Sequence, residues 1–299
     1  MRWYKPQALR PGAPLRLVAP SGPFDRASFD VGLARIASRY RPVFDDSLFS
    51  KARYLAGADE VRGSGLQEAL ADPAAPAILA ARGGFGATRL LPSLSVPSGH
   101  TPLLMGFSDI TALHALFQRD GRMSLHAPVL TQLGRQPDEV FERWVQLCEI
   151  AEPAPQLLGN QPLVPGVAEG RLMGGNLEVF SRLLGTPFLP DLTGALLLLE
   201  DVGERPYKLD RLWTHLRLAG VFERVAGIVL GDFTGCEEKD ADYSGADVLA
   251  DLARETGLPC AAGFPVGHGA VNQPVPLGVR ARLDAGAATL SFLEPLVEE

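Results

Sequence analysis

Four short segments of this 299-residue chain place small or polar residues directly after an apolar run. Each apolar run predicts a buried strand, and open α/β sheets hold their sites at strand ends. Together the segments supply a serine, two adjacent acids, a histidine and a glycine-rich loop, an inventory typical of acyl transfer through a nucleophilic serine. The segments are ARGGFG (81–86), GFSD (106–109), LLEDVGE (198–204) and GFPVGHG (263–269).

Ser108 lies in GFSD, between a predicted strand and the predicted helix that starts in SDITALHALFQR. At such a corner the hydroxyl points to solvent, and backbone N–H groups of the helix N-terminus can stabilise a developing negative charge. This is the physics of a nucleophile elbow, although the G-x-S-x-G signature is absent. The alternative is that Ser108 or Asp109 only caps the helix.

His268 is flanked by two glycines, which leave its imidazole free to reach a partner. A single histidine in a glycine loop can also be incidental. The remaining histidines fit other roles, and His126, after a short strand, is a candidate for a pocket wall. The chain has no H-x-x-x-H or HExxH spacing, so the sequence predicts no metal site.

Glu200 and Asp201 end the apolar run ALLLLE. Side chains alternate along a strand, so the two carboxylates should point to opposite faces of the sheet. One of them can then face the site while the other caps or pairs, and the alternative is that both form a solvated strand end. The run LLLLE makes Glu200 the last residue of the predicted strand and places Asp201 at the start of the loop, where a carboxylate commonly bonds backbone N–H groups.

The loop ARGGFG lacks the sequence of a phosphate loop. Its glycines can instead present backbone N–H groups to an oxyanion, and we assign that role to the N–H groups of Gly84 and Asp109. Arg82 can hold the terminal carboxylate of a substrate in a bidentate clamp. A structural salt bridge is the alternative for Arg82.

The elements that must position these residues alternate between strands and helices in the first half of the chain. Apolar runs at Leu15–Ala19, Ile78–Ala81 and Leu103–Phe107 are separated by amphipathic stretches, which predicts a parallel, doubly wound sheet. Proline and glycine then become frequent, as in EPAPQLLGNQPLVPGVAEG, and we interpret residues 132–169 as a linker between domains 1–131 and 170–299.

The second half opens on a helix that Asn176 should cap, followed by the strand ALLLLE and a helix that Asp210 should cap. The C-terminal residues VRARLD and AATLSF alternate around an Ala-Gly turn and predict a β-hairpin.

Composition narrows the function classes. Hydrophobic residues make up 46% and charged residues 21% of the chain, as in ordinary globular enzymes. The formal net charge is −7 without a long basic run, which argues against a nucleic-acid partner. Three scattered cysteines, no signal-like N-terminus and no long apolar run lead us to expect a cytoplasmic protein that does not enter the membrane.

Seven segments of the chain also resemble one enzyme family, the LD-carboxypeptidases, which includes muramoyl-tetrapeptide carboxypeptidase and the microcin C self-immunity peptidases. They occur in the family's order and span nearly the whole chain. The segments are APSGP (19–23), ARGGFGATRLLP (81–92), GFSDITALH (106–114), GGNLEVFSRLLGTP (174–187), LLLEDVGERPYKLDRLWTHLRLAG (197–220), AGIVLGDF (226–233) and GFPVGHG (263–269).

The resemblance implies a catalytic triad of Ser108, Glu200 and His268. It implies a flavodoxin-like N-terminal domain that carries the serine and a smaller α/β C-terminal domain that carries the acid and the histidine, with the site between them. It further implies a homodimer without metal or cofactor that removes the terminal D-alanine from murein tetrapeptide during cell-wall recycling. The family's usual tyrosines in RGGYG and GYSD are Phe85 and Phe107 here, which keeps the rings and loses two hydroxyls.

Two rival functions remain at this point. One is the same serine chemistry on an aminoacyl-nucleotide peptide, for which the site would need an aromatic platform. Trp213 is the one tryptophan of the second half, and its helical spacing places it in the core. The other rival is a non-catalytic peptide-binding module on the same scaffold.

Overall fold

Two β-sheets, each carrying one part of the candidate site, organise the chain. The computed structural model describes residues 2–299. The strands are β1 (Pro14–Val18), β2 (Arg41–Val43), β3 (Ala77–Ala80), β4 (Leu103–Gly106), β5 (Ser124–His126), β6 (Leu157–Leu158), β7 (Gln161–Val164), β8 (Val167–Asn176), β9 (Leu196–Val202), β10 (Gly227–Thr234), β11 (Cys260–Ala262), β12 (Val275–Leu277), β13 (Arg280–Asp284) and β14 (Thr289–Phe292). The α-helices are α1 (Arg26–Ala37), α2 (Asp59–Ala71), α3 (Ala87–Leu90), α4 (Thr111–Arg119), α5 (Leu130–Leu133), α6 (Asp138–Glu149), α7 (Leu177–Ser181), α8 (Pro206–Leu218) and α9 (Gly245–Thr256).

The first sheet has six strands in the order β12-β5-β4-β3-β1-β2. The five strands β1 to β5 pair in parallel, and β12 adds antiparallel to β5. The residues of β3 and β4 are all buried, because central parallel strands are covered on both faces by helices. The predicted parallel α/β sheet is therefore confirmed.

The second sheet has eight strands in the order β6-β14-β13-β8-β9-β10-β11-β7. Its centre, β8 to β11, is parallel, and its outer strands are antiparallel. The predicted hairpin is confirmed as β13 and β14, with Asp284 opposite Thr289. The central strand β9 is buried from Leu196 to Asp201, so the side chains at its carboxyl end are held in fixed positions.

Two helix starts test the capping predictions in this half. Asn176 caps α7 as predicted, since its side chain accepts a hydrogen bond of 3.1 Å from the N–H of Val179. The prediction that Asp210 caps the next helix is wrong. Helix α8 already begins at Pro206, because proline fits the first helical position, where no N–H is needed. Asp210 instead accepts a hydrogen bond of 3.0 Å from the hydroxyl of Thr214.

The chain crosses between the two sheets more than once. Residues 132–169, predicted as a linker, contain helix α6, strands β6 and β7 and the start of β8. The two short strands complete the second sheet. After His268 the chain returns to the first sheet, where Val275 of β12 lies opposite His126 of β5. The division into domains 1–131 and 170–299 stays a prediction.

Within residues 2–299, no helix combines the length and the apolar character needed to cross a bilayer.

Candidate active site

Ser108 lies at a strained corner between β4 and α4. The corner is a short 3-10 turn, Ser108–Ile110, and Ser108 has a φ of 63°. A positive φ in a residue with a Cβ costs on the order of 1–3 kcal/mol and persists only where surrounding contacts enforce it. The cap of α4 is Ile110, and neither the 3-10 turn nor α4 has a side-chain cap. The capping alternative for Ser108 and Asp109 is therefore wrong.

The glycine-rich loop 81–86 approaches Ser108 so closely that position 83 has no room for a side chain. A Cβ on Gly83 would lie 2.9 Å from the Cβ of Ser108 and 3.0 Å from its Oγ. The loop is tied to the corner by Asp109, whose buried carboxylate accepts a hydrogen bond of 2.8 Å from the N–H of Ala87. Burial raises the pKa of Asp109, against hydrogen bonds from Ser21 and Ala87. Gly84, with a φ of +112°, lies in the same loop, and a Cβ there would lie 3.4 Å from the backbone of Gly22.

Glu200 and His268 form the acid–base pair of the site. Nδ1 of His268 lies 2.7 Å from Oε2 of Glu200. The Glu200 side chain is 0% exposed and that of His268 is 17% exposed, so water screens the pair weakly. Burial lowers the pKa of His268, but the hydrogen bond and charge of Glu200 outweigh it, and the net pKa is raised. With Nδ1 occupied by the carboxylate, Nε2 is the nitrogen left for a reactant.

A glycine makes this pair possible. A Cβ on Gly267 would lie 2.5 Å from Oε2 of Glu200, and the φ of Gly267 is +123°. The histidine can therefore follow directly on a backbone segment that passes over the acid.

Asp201 has a different task from its neighbour. Its Oδ1 accepts hydrogen bonds of 2.8 Å from the N–H of Val202 and 3.0 Å from Nδ2 of Asn176, and its Oδ2 accepts one of 2.9 Å from the N–H of Glu178. These bonds match the expected role of a carboxylate that holds backbone N–H groups. Asp201 does not begin a loop, however, because β9 continues to Val202. Burial raises the pKa of Asp201 to about 6.

The serine corner and the acid–base pair meet at Phe107. The Phe107 ring, one residue before Ser108, lies 4.7 Å from the His268 ring between centroids. His126 packs edge-on against Phe107 with ring centroids 5.8 Å apart and is fully buried. The interpretation of His126 as a pocket wall is therefore wrong, since a fully buried ring exposes no surface to a pocket.

Arg82 and Gly84 lie on the loop that approaches Ser108. Arg82 is exposed and donates to the backbone carbonyl of Pro23. In residues 2–299 no acid lies within ion-pair distance of Arg82, which leaves the salt-bridge alternative without support.

One acidic residue beside the pair escaped the sequence reasoning. Asp232 lies on β10, where the register with β9 shifts, and a Cβ on Gly269 would lie 2.4 Å from its Oδ2. Burial and, to a smaller extent, the charge of Glu200 raise the pKa of Asp232 to about 6, against the N–H of Gly269 and the charge of His268, which lower it. The available signal was its place in AGIVLGDF, another apolar run that ends in a carboxylate.

The described residues contain no group of three or more histidine, cysteine or acidic side chains arranged to hold a metal ion.

A parallel α/β sheet that ends in a strained serine, beside a buried carboxylate–histidine pair from a second sheet, has the architecture of a serine peptidase. The family model of the LD-carboxypeptidase N-terminal domain matches residues 15–127, and that of the C-terminal domain matches residues 169–283. The chain belongs to the LD-carboxypeptidase family, and it is a serine-type carboxypeptidase.

Individual relatives agree with this assignment. The chain is 35% identical to a Bacillus subtilis protein named "Probable murein peptide carboxypeptidase", over 96% of this chain and 93% of that protein. It is 35% identical to the murein tetrapeptide carboxypeptidase of Pseudomonas aeruginosa, over 79% and 81%. The crystal structure of muramoyltetrapeptide carboxypeptidase from Oxalobacter formigenes superposes with a TM-score of 0.82 at 26% identity, covering 93% of this chain and 97% of that one.

The fold is shared more widely than the sequence. The microcin C7 self-immunity protein superposes with a TM-score of 0.85 at 20% identity, covering 99% of this chain and 100% of that one.

Proposed function

We propose that this enzyme hydrolyses the bond between an L-centre and the terminal D-alanine of murein tetrapeptide, through a triad of Ser108, His268 and Glu200 and an acyl-enzyme. The observation that carries the proposal is the 2.7 Å contact between Nδ1 of His268 and the fully buried carboxylate of Glu200, beside a serine held at positive φ. The relative from Pseudomonas aeruginosa, named for murein tetrapeptide, supports the substrate.

In the first half of the reaction, Nε2 of His268 takes the proton of the Ser108 hydroxyl while Oγ attacks the peptide carbonyl. Glu200 fixes the tautomer of the imidazole and stabilises the imidazolium. The N–H groups of Gly84 and Asp109 receive the oxyanion. The imidazolium then protonates the leaving nitrogen, and D-alanine departs as the C–N bond breaks.

In the second half, water replaces D-alanine. His268 takes a proton from the water as its oxygen attacks the acyl carbon, and then returns that proton to Oγ of Ser108. The products are the tripeptide carboxylate and free enzyme. No step calls on a metal or cofactor.

Arg82 gives the reaction its exopeptidase character in this proposal. Arg82 directly precedes Gly83, and its exposed guanidinium is available to a substrate carboxylate. A carboxylate fixed there brings only the last peptide bond to Ser108. A tetrapeptide that ends in L-centre–D-alanine is then cut, and a pentapeptide that ends in D-alanine–D-alanine is spared.

The experiment is an incubation of purified enzyme with both peptides, followed by mass spectrometry for loss of one alanine. The Ser108→Ala variant serves as the control. Equal rates on the two peptides would sink the specificity. Labelling by a fluorophosphonate at Ser108 tests the nucleophile independently of any substrate, and an unlabelled but folded protein would favour a peptide-binding module instead.

The rival substrate, an aminoacyl-nucleotide peptide, finds less support. Trp213 is 1% exposed and packs on Phe222 with ring centroids 4.7 Å apart, so it cannot stack on a base. The structural likeness to the microcin C7 self-immunity protein, at 20% identity, is a likeness of fold and does not by itself support the same substrate.

For the setting of the reaction we propose the cytoplasm, a role in cell-wall recycling and a homodimer. Light scattering of the purified protein tests the dimer, and fractionation of the producing cell tests the compartment.

A further inference from the structure

The segment 263–274, called the histidine loop below, connects the two sheets and carries His268 between them. On the side of the second sheet, Phe264 donates its N–H to the carbonyl of Leu230 at 3.3 Å, and Val266 accepts a hydrogen bond of 2.8 Å from the N–H of Asp232. These bonds hold the start of the loop over β10, next to Glu200. They do not fix the loop relative to Ser108, which follows a strand of the first sheet.

Asn272 makes that second attachment. Its side chain is fully buried, and its Oδ1 accepts a hydrogen bond of 2.9 Å from the N–H of Gly267, the residue before His268. Its Nδ2 donates to Oε1 of Gln132 at 3.2 Å, and its backbone N–H donates to Oε1 of Gln136 at 2.9 Å. One amide therefore joins the backbone at the histidine to the segment around α5.

The segment around α5 is itself rigidly seated on the first half of the molecule. A Cβ on Gly32 of α1 would lie 2.1 Å from the carbonyl oxygen of Leu130, so the two helices touch backbone to backbone. Arg35 of α1 donates to the carbonyls of Leu133 at 3.3 Å and Pro137 at 3.2 Å. The partners of Asn272 thus form a fixed reference point on the half that carries the serine.

We infer that Asn272 is a positioning residue, whose amide sets the place of His268 relative to Ser108 by tying the histidine loop to α5. The inference rests on the proposed triad. A buried amide with a donor on one half and an acceptor on the other fixes distance and orientation together. A displacement of about 1 Å between reacting groups is enough to cost roughly 10²-fold in rate. Asn272 does not need to touch substrate for this effect.

The test compares Asn272→Ala with Gln132→Leu, their double variant and Gln118→Leu. Gln118 is a matched control, because it is 1% exposed and neither atom of its amide has a hydrogen-bond partner in the described chain. Fluorophosphonate labelling of Ser108 and turnover of murein tetrapeptide are both measured, well below the lowest melting temperature of the set.

We expect Asn272→Ala to lower kcat and the labelling rate by about 10²-fold while KM stays within about threefold. The acid limb of its pH profile should move to lower pH, because a loosened Glu200 contact no longer raises the pKa of His268 as far. Gln132→Leu should show a smaller loss of the same kind. The double variant should lose no more than Asn272→Ala, since both changes break one connection. Gln118→Leu should leave rate and pH profile unchanged.

Labelling and turnover of the wild type test the proposed function, and the comparison of Asn272→Ala with the wild type tests this inference. If the wild type is not labelled at Ser108, the triad itself is wrong. If the wild type reacts and a folded Asn272→Ala variant reacts at the same rate with the same pH profile, Asn272 has only a structural role and the inference is overturned. Should Asn272→Ala fail to fold, an unchanged rate and pH profile in Gln132→Leu overturns it equally.

Discussion

Around Ser108 the backbone sets the position of the proposed nucleophile, whereas around His268 a buried charge sets the position of the proposed base. The serine has a φ of 63° and packs so closely against Gly83 that a Cβ on Gly83 would lie 2.9 Å from the Cβ of Ser108. The histidine is held by a fully buried carboxylate at 2.7 Å. The first arrangement relies mainly on backbone geometry and close packing, and the second is electrostatic and depends on the protonation of His268. The two regions should therefore fail in different ways when they are changed.

The largest effect is expected at the serine. Ser108→Ala removes the proposed nucleophile and should lower kcat by about 10⁶-fold in a folded protein. Ser108→Gly should be equally inactive but more stable than Ser108→Ala by about 1 kcal/mol, because glycine adopts positive φ without strain. Turnover and urea unfolding of both variants provide the measurements. An alanine variant that keeps a tenth of the wild-type rate would show that the nucleophile is assigned wrongly.

The next effect distinguishes the two adjacent acids. Glu200→Gln should keep the fold and lower turnover by about 10³–10⁴-fold, since an amide neither enforces the tautomer of His268 nor stabilises the imidazolium. Asp201→Asn should mainly reduce stability, by about 1 kcal/mol, because it weakens the bonds to Val202 and Glu178. Turnover and melting temperature are measured for both. A stable but inactive Asp201→Asn protein beside a near-normal Glu200→Gln protein would reverse the two roles.

The contrast between the acids was accessible from the sequence, because strand alternation in ALLLLED separates their faces. The strained serine was accessible only in part. GFSD indicates a corner after a strand, but the contacts that enclose the corner come from the loop after another strand, where Gly83 lies against Ser108 and Ala87 donates its N–H to Asp109. Asp232 and Asn272 were missed for the same reason. Each lies in an unremarkable local pattern, and its partners are distant in the chain.

The start of α8 shows a more local failure. Asp210 is a good capping residue by type, but Pro206 four residues earlier already permits the helix to begin. Of these two possible helix starts the structure uses the earlier one, and Leu209 of this first turn packs into the core of the second half.

The pH dependence of kcat/KM sharpens the electrostatic side of the comparison. A general base must be neutral, so activity should rise with pH through the pKa of His268 in the free enzyme. Because Glu200 raises that pKa, the midpoint of the acid limb should lie above about 6.5. Glu200→Gln should move the midpoint to lower pH, since burial then acts on the imidazole without a compensating charge. A midpoint that stays in place in this variant would mean that the limb reports another group.

The smallest effect is expected at Asp232, and it concerns stability more than rate. The folded pKa of this carboxyl is raised from 3.8 to about 6, so ionisation is harder in the folded state than in the unfolded one. The resulting cost is absent below about pH 4, grows as the pH rises toward 6, and is complete above it. Asp232→Asn cannot ionise and should remove this cost. Because the group is only partly buried, we expect a gain of about 1 kcal/mol at pH 7.5 and none at pH 4.

Thermal unfolding of wild type and Asp232→Asn across this pH range measures the gain. Asp201→Asn is the matched control. Its carboxyl also has a pKa raised to about 6, but it accepts hydrogen bonds from Val202, Glu178 and Asn176, so its loss should destabilise at neutral pH. Turnover of Asp232→Asn should stay within about tenfold of wild type, with the acid limb slightly lower, because one negative charge near His268 is gone. If Asp232→Asn instead loses stability relative to wild type as the pH rises from 4 to 7.5, the charged Asp232 carboxylate stabilises the fold. Ionising Asp232 beside the acid–base pair would then carry no net cost.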